Sequence, residues 1–171
     1  DASMKVVALD CETTGIPDFK LPADHPSQPR MCALAAVLFD DDLVQRERSG
    51  LAVLGEVDSL IKPDGWTIPD EASKINGLTT EKCALDGWPV LSVLATFNKL
   101  LDQAELIAAF GVAFDLKILR GEMRRANLPD RYGDKPEIDV MRAAAPHCKI
   151  PPTGKMAASG RLSWKLPKLT E

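Results

Sequence analysis

The spacing of hydrophobic and polar residues predicts three β-strands in the first third of the chain. Residues 6–9 form an unbroken apolar run, which is typical of a strand buried on both faces of a sheet. Residues 31–39 predict a second strand and residues 55–61 a third, and the three aspartates at 40–42 predict the hairpin turn after the second strand. Residues 16–30 contain four prolines and are therefore predicted to form a loop.

After the third strand, the pattern changes to helices that alternate with a further strand. A short helix is predicted to begin at Pro69, because proline fits the first turn of a helix, and to end at Gly77. The other predicted elements are an amphipathic helix over 90–101, a strand over 105–109, a helix over 116–126 and a helix from Asp139 to Pro146. This order predicts a single α/β domain over 1–171, whose mixed sheet is antiparallel at first and then parallel and is flanked by helices.

Composition narrows the class of protein. The chain of 171 residues is 45% hydrophobic and 27% charged, as ordinary globular domains are. It contains no signal peptide and no apolar run approaching the ~20 residues of a membrane span, so no membrane partner is predicted. The four cysteines are scattered, without CxxC pairs or zinc spacing, which predicts reduced thiols in a cytoplasmic protein. Residues 1–3, which precede Met4, are interpreted as the remnant of an expression tag.

Charge is distributed unevenly between the two parts of the chain. Residues 1–114 hold 9 Lys and Arg against 18 Asp and Glu, a balance of −9, whereas residues 115–171 hold 12 against 7, a balance of +5. An acidic part beside a basic part suits a polyanionic substrate that must be held next to carboxylates. Charges that simply cover solvated surfaces give the same imbalance, so charge alone leaves both interpretations open.

The first strand ends in a pair of acids. Because side chains alternate across a strand, Asp10 and Glu12 leave on one face and Cys11 on the other. Two carboxylates at the end of a buried strand repel each other unless a cation lies between them, and a hard divalent ion such as Mg²⁺ or Mn²⁺ is the natural partner. The pattern therefore predicts a metal site, with a polar turn that carries two solvated acids as the alternative.

A third acid is predicted to lie at the same edge of the sheet. Asp115 follows the strand predicted over 105–109 and opens a helix, which places it at the carboxyl edge, where open α/β folds bind their ligands. It could join Asp10 and Glu12 around the same ions. The alternative is that Asp115 merely caps its helix.

Three segments of the chain together resemble a known family. ALDCETTG at 8–15, WTIPDEASKINGLT at 66–79 and AFGVAFDLKILRGEMRR at 109–125 resemble the DEDD-type 3′–5′ exonucleases, in the branch of the DNA polymerase III epsilon subunit and ribonuclease T. The resemblance implies a ribonuclease H-like fold and two Mg²⁺ or Mn²⁺ ions. It also implies hydrolysis of phosphodiester bonds at the 3′ end of single-stranded DNA or RNA, which releases nucleoside monophosphates.

The resemblance also assigns roles to residues. By position, it implies that the catalytic metal ligands are Asp10, Glu12 and Asp115 and that the 3′-terminal nucleotide is lined by Thr13, Thr14 and Gly15. Three positions depart from the family pattern. Phe110 and Gly111 stand where the family has the His-Asn pair of its HNxxFD motif, and Asn76 stands where it often has a histidine.

The family's last motif, His-x-x-x-x-Asp, supplies a general-base histidine and a fourth carboxylate. His147 does not belong to such a motif, because Pro152 stands five residues later. The motif and the C-terminal helix that carries it are therefore expected beyond Glu171. From this we predict that the 171-residue form is inactive or nearly so.

The sequence thus predicts a cytoplasmic 3′–5′ exonuclease that acts on single-stranded 3′ ends, for which a DNA polymerase or repair complex is a candidate partner. The alternative is a catalytically inactive module that keeps the nuclease fold and binds nucleic acid or a polymerase. Two groups of basic residues are candidate phosphate contacts, with a solvated surface as the other interpretation; they are Lys117, Arg120 and Arg124, and Lys155, Arg161, Lys165 and Lys168.

Overall fold

A mixed β-sheet is at the centre of the fold. The computed structural model describes residues 4–40, 53–132, 134–151, 166 and 168. In this part of the chain the strands are β1 (Lys5–Thr13), β2 (Met31–Asp40), β3 (Val53–Leu60), β4 (Leu106–Ala109) and β5 (Glu137–Asp139). The sheet order is β3-β2-β1-β4-β5, with β1–β2 and β2–β3 antiparallel and β1–β4 and β4–β5 parallel. The predicted change from antiparallel to parallel pairing is confirmed.

The described helices are α1 (Asp70–Asn76), α2 (Thr80–Asp86), α3 (Val90–Gln103), α4 (Val112–Arg125) and α5 (Val140–Cys148). The sequence did not predict α2, because this short helix buries only Cys83 and so has no periodic apolar face. The prediction that Pro146 stops the last helix is wrong. Pro146 lies inside α5, which ends where Lys149 adopts the left-handed conformation; a proline removes only one helical hydrogen bond, and here it does so in the last turn.

Each of the four predicted strands is present, and only its first and last residues differ from the prediction. β3 begins at Val53, two residues early, and Ile61 continues it as an isolated parallel bridge to Trp88. The strand β5 is missing from the prediction because it is three residues long and lacks an apolar pattern. Of the predicted turn at 40–42, residue 40 ends β2 and the other two lie outside the described residues, as do residues 1–3.

The hydrophobic core lies on one face of the sheet, beneath α3 and α4. Val7, Leu9 and Cys11 of β1 enter this core, which also contains Phe97 of α3 and Leu119 of α4. The intervening residues of β1 therefore face the other side, and the acids at the end of the strand lie on that side. In the part of the chain that the structure describes, no helix is both long and apolar enough to cross a membrane.

Candidate active site

The acid pair at the end of β1 lies as the alternation of side chains predicts. Asp10 and Glu12 are exposed, whereas Cys11 is buried in the core. Their neighbours on β2 are small, since Asp10 is paired with Ala35 and Glu12 with Ala33. Side chains of this size do not cover the two carboxylates, which are therefore accessible from the open face of the sheet.

Asp115 reaches the same end of β1 from helix α4. Its Oδ1 atom accepts a hydrogen bond from the backbone N–H of Cys11 at 2.9 Å, and the side chain is only 2% exposed. The interpretation of Asp115 as a helix cap is wrong: the N-cap of α4 is Gly111, four residues earlier. The helix that follows β4 thus carries an acid directly to the backbone between the two β1 acids.

The electrostatics of this group are unfavourable to three negative charges. Burial raises the pKa of Asp115 to about 7, the hydrogen bond from the Cys11 backbone opposes that rise, and the charge of Asp10 adds to it. Burial and the charge of Asp10 also raise the pKa of Glu12. Among the described residues, none of the three acids forms an ion pair with a basic side chain. A bound cation would relieve this excess of negative charge.

The donor atoms suit a hard divalent cation, because all three side chains are carboxylates and Mg²⁺ and Mn²⁺ prefer oxygen ligands. The described residues nevertheless contain no group of three or more His, Cys, Asp or Glu side chains that already stands close enough to hold a metal ion. Like-charged carboxylates repel each other, so their side-chain positions depend on whether a cation is bound. The structure therefore brings Asp115 next to the strand segment that carries Asp10 and Glu12, but the oxygens of the three carboxylates are not yet close enough together to coordinate one ion.

The segment after Glu12 is held by hydrogen bonds within the chain. The pairing of β1 with β2 changes register between Glu12 and Thr13, where Cys32 of β2 is left without a β1 partner, and the Thr13 hydroxyl donates to the Gly15 carbonyl at 2.6 Å. The Asn76 side-chain amide donates to the Thr13 carbonyl at 3.2 Å and accepts from the Leu78 backbone. Asn76 was not predicted to be a site residue, although its departure from the family's histidine was the available signal.

Thr14, the next residue, is held by two hydrogen bonds to Arg30. The Thr14 N–H donates to the Arg30 carbonyl at 2.9 Å, and the Arg30 N–H donates to the Thr14 hydroxyl at 2.8 Å. The Arg30 side chain in turn forms a two-bond contact with Glu122, which is 1% exposed. The sequence predicted neither Arg30 nor Glu122 as a site residue. The one signal concerned Glu122, which lies seven residues after Asp115 and therefore on the same face of the helix.

Comparison with known proteins identifies the family of this chain. Residues 7–147 match the family model RNase_T, described as exonuclease. The chain belongs to this exonuclease family. The family resemblance seen in the sequence is thereby confirmed. No curated protein sequence matches the chain.

Solved structures of exonuclease I have a similar fold. Escherichia coli exonuclease I in complex with a 5cy-dA13 oligonucleotide has a TM-score of 0.65 at 21% identity, over 88% of this chain and 31% of that one. The zinc-ion-bound form of the E. coli ExoI–ssDNA complex has a TM-score of 0.66 at 20% identity, again over 88% of this chain and 31% of that one. These likenesses confirm the ribonuclease H-like mixed sheet. The chain spans only about a third of the length of exonuclease I.

In this exonuclease domain, the glycine at position 111 keeps the backbone conformation that an asparagine can also adopt. Gly111 has φ 85° and ψ 49°, in the left-handed region that glycine and asparagine adopt more easily than other residues. An Asn-to-Gly difference from the family motif therefore keeps the backbone turn that starts α4. The Gly111 N–H donates to the Asp139 carboxylate at 3.0 Å, which ties the start of α4 to the start of α5.

The basic face predicted on α4 is engaged within the exonuclease domain. Lys117 donates to the Leu21 carbonyl, Arg120 pairs with Asp130 at 3.4 Å, and Arg124 pairs with Asp24 at 3.7 Å and with Asp130 at 3.8 Å. These contacts argue against a free row of phosphate-binding cations. In the second basic group, only Lys168 lies within the described residues.

Proposed function

We propose that this exonuclease domain belongs to a divalent-metal-dependent 3′–5′ exonuclease that removes nucleoside monophosphates from single-stranded DNA or RNA. The observation that carries the proposal is the meeting of three acids, Asp10, Glu12 and Asp115, at the end of β1 without a cationic partner among the described residues. Membership of the exonuclease family supports it, as does the fold shared with E. coli exonuclease I, which has been crystallised with dT13 and dA13 oligonucleotides.

In this proposal, Asp10, Glu12 and Asp115 hold two divalent cations, Mg²⁺ or Mn²⁺. When bound, two such ions activate water and stabilise the charge that develops on the phosphate oxygens. The protein keeps the Asp115 carboxylate in place through the Cys11 N–H, and the small β2 side chains leave the Asp10 and Glu12 carboxylates accessible to a phosphodiester. Among the described residues, we assign neither His25 nor His147 as the general base.

We further propose that the segment Thr13–Gly15 lines the 3′-terminal nucleotide. Its polar groups are fixed internally, and Thr13 itself is buried, so the segment offers a wall of defined shape rather than mobile hydroxyl groups. A rigid wall grips the sugar and base without reading base edges, which suits removal of any nucleotide from a single strand. We place the protein in the cytoplasm, since its four cysteines are free thiols.

The test uses the full-length protein, a 5′-labelled oligothymidylate and Mn²⁺, with EDTA as the metal-free condition. Asp10→Asn and Asp115→Asn are each expected to slow shortening from the 3′ end at least about 10²-fold, the usual cost of removing a group that stabilises transition-state charge. Asp86→Asn is the matched control, because Asp86 is an acid on α2 whose partner is the exposed Lys82.

Thermal melts give a second readout that does not depend on activity. Mn²⁺ is expected to raise the melting temperature of the parent and of Asp86→Asn, but not of the two site variants. A metal-induced rise that persists in Asp10→Asn and Asp115→Asn, or trimming at the parent rate, would contradict the assignment. Strand binding without trimming by the full-length parent would favour the inactive nucleic-acid-binding or polymerase-associated module.

A further inference from the structure

Glu122 is a buried acid for which the proposed chemistry has no use. It lies on α4 and is 1% exposed. Its two carboxylate oxygens accept from Arg30, Oε1 from Nε at 2.8 Å and Oε2 from Nη2 at 3.0 Å, and Oε1 also accepts from the Met31 backbone N–H at 3.0 Å. Arg125 adds a weaker contact at 3.4 Å. Glu122 therefore fixes both the side chain of residue 30 and the backbone of residue 31.

The backbone of Arg30 is bonded in turn to Thr14. The two residues exchange a pair of hydrogen bonds, from Thr14 N–H to the Arg30 carbonyl and from Arg30 N–H to the Thr14 hydroxyl. Thr14 comes two residues after Glu12, beyond the bulge that ends the regular pairing of β1 with β2. Because the sheet ladder is interrupted there, the position of Thr14 depends on these two bonds.

Arg30 has room to move if its carboxylate partner is lost. Its side chain lines a cleft of about 600 Å³ on the helix-covered side of the sheet, and its guanidinium lies 5.4 Å from the centre of the Trp66 ring. The carboxylate of Glu122 holds this guanidinium against the wall of the cleft at two points. A bidentate contact of this kind fixes orientation as well as distance, which a single hydrogen bond or a point charge does not.

We propose that Glu122 is a positioning residue, which sets the place of Thr14, and with it the wall of the 3′-nucleotide subsite, through Arg30. This inference rests on the proposed function and deepens it, because it names a group that shapes the subsite without touching the nucleotide. Glu122 acts only through Arg30 and Met31. Its loss should therefore change how the terminal nucleotide is held without changing the three acids on β1 and α4.

Residue-resolved amide hydrogen exchange of the full-length protein tests the structural step. Glu122→Gln keeps the volume of the side chain but sets an N–H₂ group against an Arg30 N–H, and Arg30→Lys keeps the charge but loses the two-point contact. Each variant is expected to speed exchange of the Thr14 amide at least about tenfold, whereas the core amides of β1 and α3 speed up only as far as the lower free energy of unfolding requires. Asp102→Asn is the control, since it removes an exposed ion pair with Arg131 remote in sequence from Thr14.

Kinetics test the functional step, at a temperature where circular dichroism shows every variant to be folded. Both single variants are expected to lower kcat/KM for an oligothymidylate by about 10- to 100-fold, the usual cost of a misplaced substrate, and to weaken inhibition by thymidine 5′-monophosphate in parallel. The double variant Arg30→Lys/Glu122→Gln should be no worse than the poorer single variant, because the two residues act as one unit. A structural role alone would lower the melting temperature without moving either constant.

The inference is overturned if the Thr14 amide exchanges at the parent rate in both variants, or if the kinetic losses of the two substitutions simply multiply. Failure of the proposed function gives a different result, in which the full-length parent trims no strand. The exchange measurement is independent of activity and still decides whether Glu122 holds Thr14.

Discussion

Helix α4 carries two buried acids of opposite character. Asp115 and Glu122 are seven residues apart, lie on the same face of the helix and are 2% and 1% exposed. Glu122 accepts two hydrogen bonds from Arg30, one from the Met31 backbone and a further contact from Arg125. Asp115 accepts hydrogen bonds from the backbone N–H and the thiol of Cys11 and faces another acid, Asp10.

The contrast separates an acid that the fold uses for stability, Glu122, from one that we propose binds a catalytic cation, Asp115. A buried carboxylate costs several kcal/mol unless charges and hydrogen bonds compensate it. At Glu122 the compensation comes from two guanidinium groups of the same chain. At Asp115 no basic side chain among the described residues supplies it, so burial and the charge of Asp10 raise the pKa of the carboxyl to about 7 against the opposing hydrogen bonds from Cys11. A carboxylate that no basic side chain of the protein compensates is a candidate ligand for a bound cation, because the cation would supply the missing positive charge.

The comparison predicts opposite effects on stability. Glu122→Gln should lower the free energy of unfolding by about 3–5 kcal/mol, because breaking a buried ion pair leaves the Arg30 guanidinium without its partner. Asp115→Asn should cost nothing or stabilise the metal-free protein, since an amide oxygen still accepts from Cys11 and a repulsive charge is gone. Urea unfolding with EDTA measures both. Equal losses for the two variants would mean that Asp115 is as well compensated as Glu122.

A smaller effect follows from the pKa of Asp115 and sharpens the same contrast. The carboxyl has a folded pKa of about 7 against an ordinary value of 3.8, so between these pH values the folded state keeps a proton that the unfolded state releases. The stability that this group contributes is therefore complete below about pH 4 and is lost as pH rises through 7.

The measurement is the stability of Asp115→Asn relative to the parent, in EDTA, from pH 4 to 8. The advantage of the variant is expected to grow from near zero to about 2–4 kcal/mol over this range. Glu122→Gln serves as the comparison, measured over the same pH range. A difference between Asp115→Asn and the parent that does not change with pH would show that Asp115 is ionised throughout.

The sequence predicted the parts of the site that depend on local pattern. Alternation along one strand placed Asp10 and Glu12 on the same face, and the strand-to-helix order placed Asp115 at the same edge of the sheet. The glycine at 111 keeps the turn that brings Asp115 there, even though the family motif has asparagine.

What the sequence did not predict depends on contacts between distant residues. The bond from Asn76 to Thr13 joins residues 63 positions apart, and that from Arg30 to Glu122 joins residues 92 apart. A single charged residue carries no sign of which distant partner it will meet, so Glu122 looked like any other acid on a basic helix. The short elements α2 and β5 were missed for a related reason, since neighbouring segments rather than an apolar pattern of their own hold them in place.

The smallest expected effect concerns the basic residues between the two acids of α4. Arg120 and Arg124 share Asp130, and Arg124 also pairs with Asp24, so their charges are largely answered within the chain. Each phosphate contact that is lost lowers the slope of log affinity against log salt by ~0.7 for a single strand. Arg120→Ala/Arg124→Ala should therefore change the salt slope of single-strand binding, measured in Ca²⁺, by less than the ~0.7 that one lost phosphate contact would cause.

Lys165→Ala/Lys168→Ala is the matched double variant, in which a lower slope is expected if the second basic group contacts phosphates. A fall of about 0.7 or more in the first variant would show that nucleic acid competes with Asp24 and Asp130 for these arginines, and α4 would then contact substrate along its basic face as well as through Asp115.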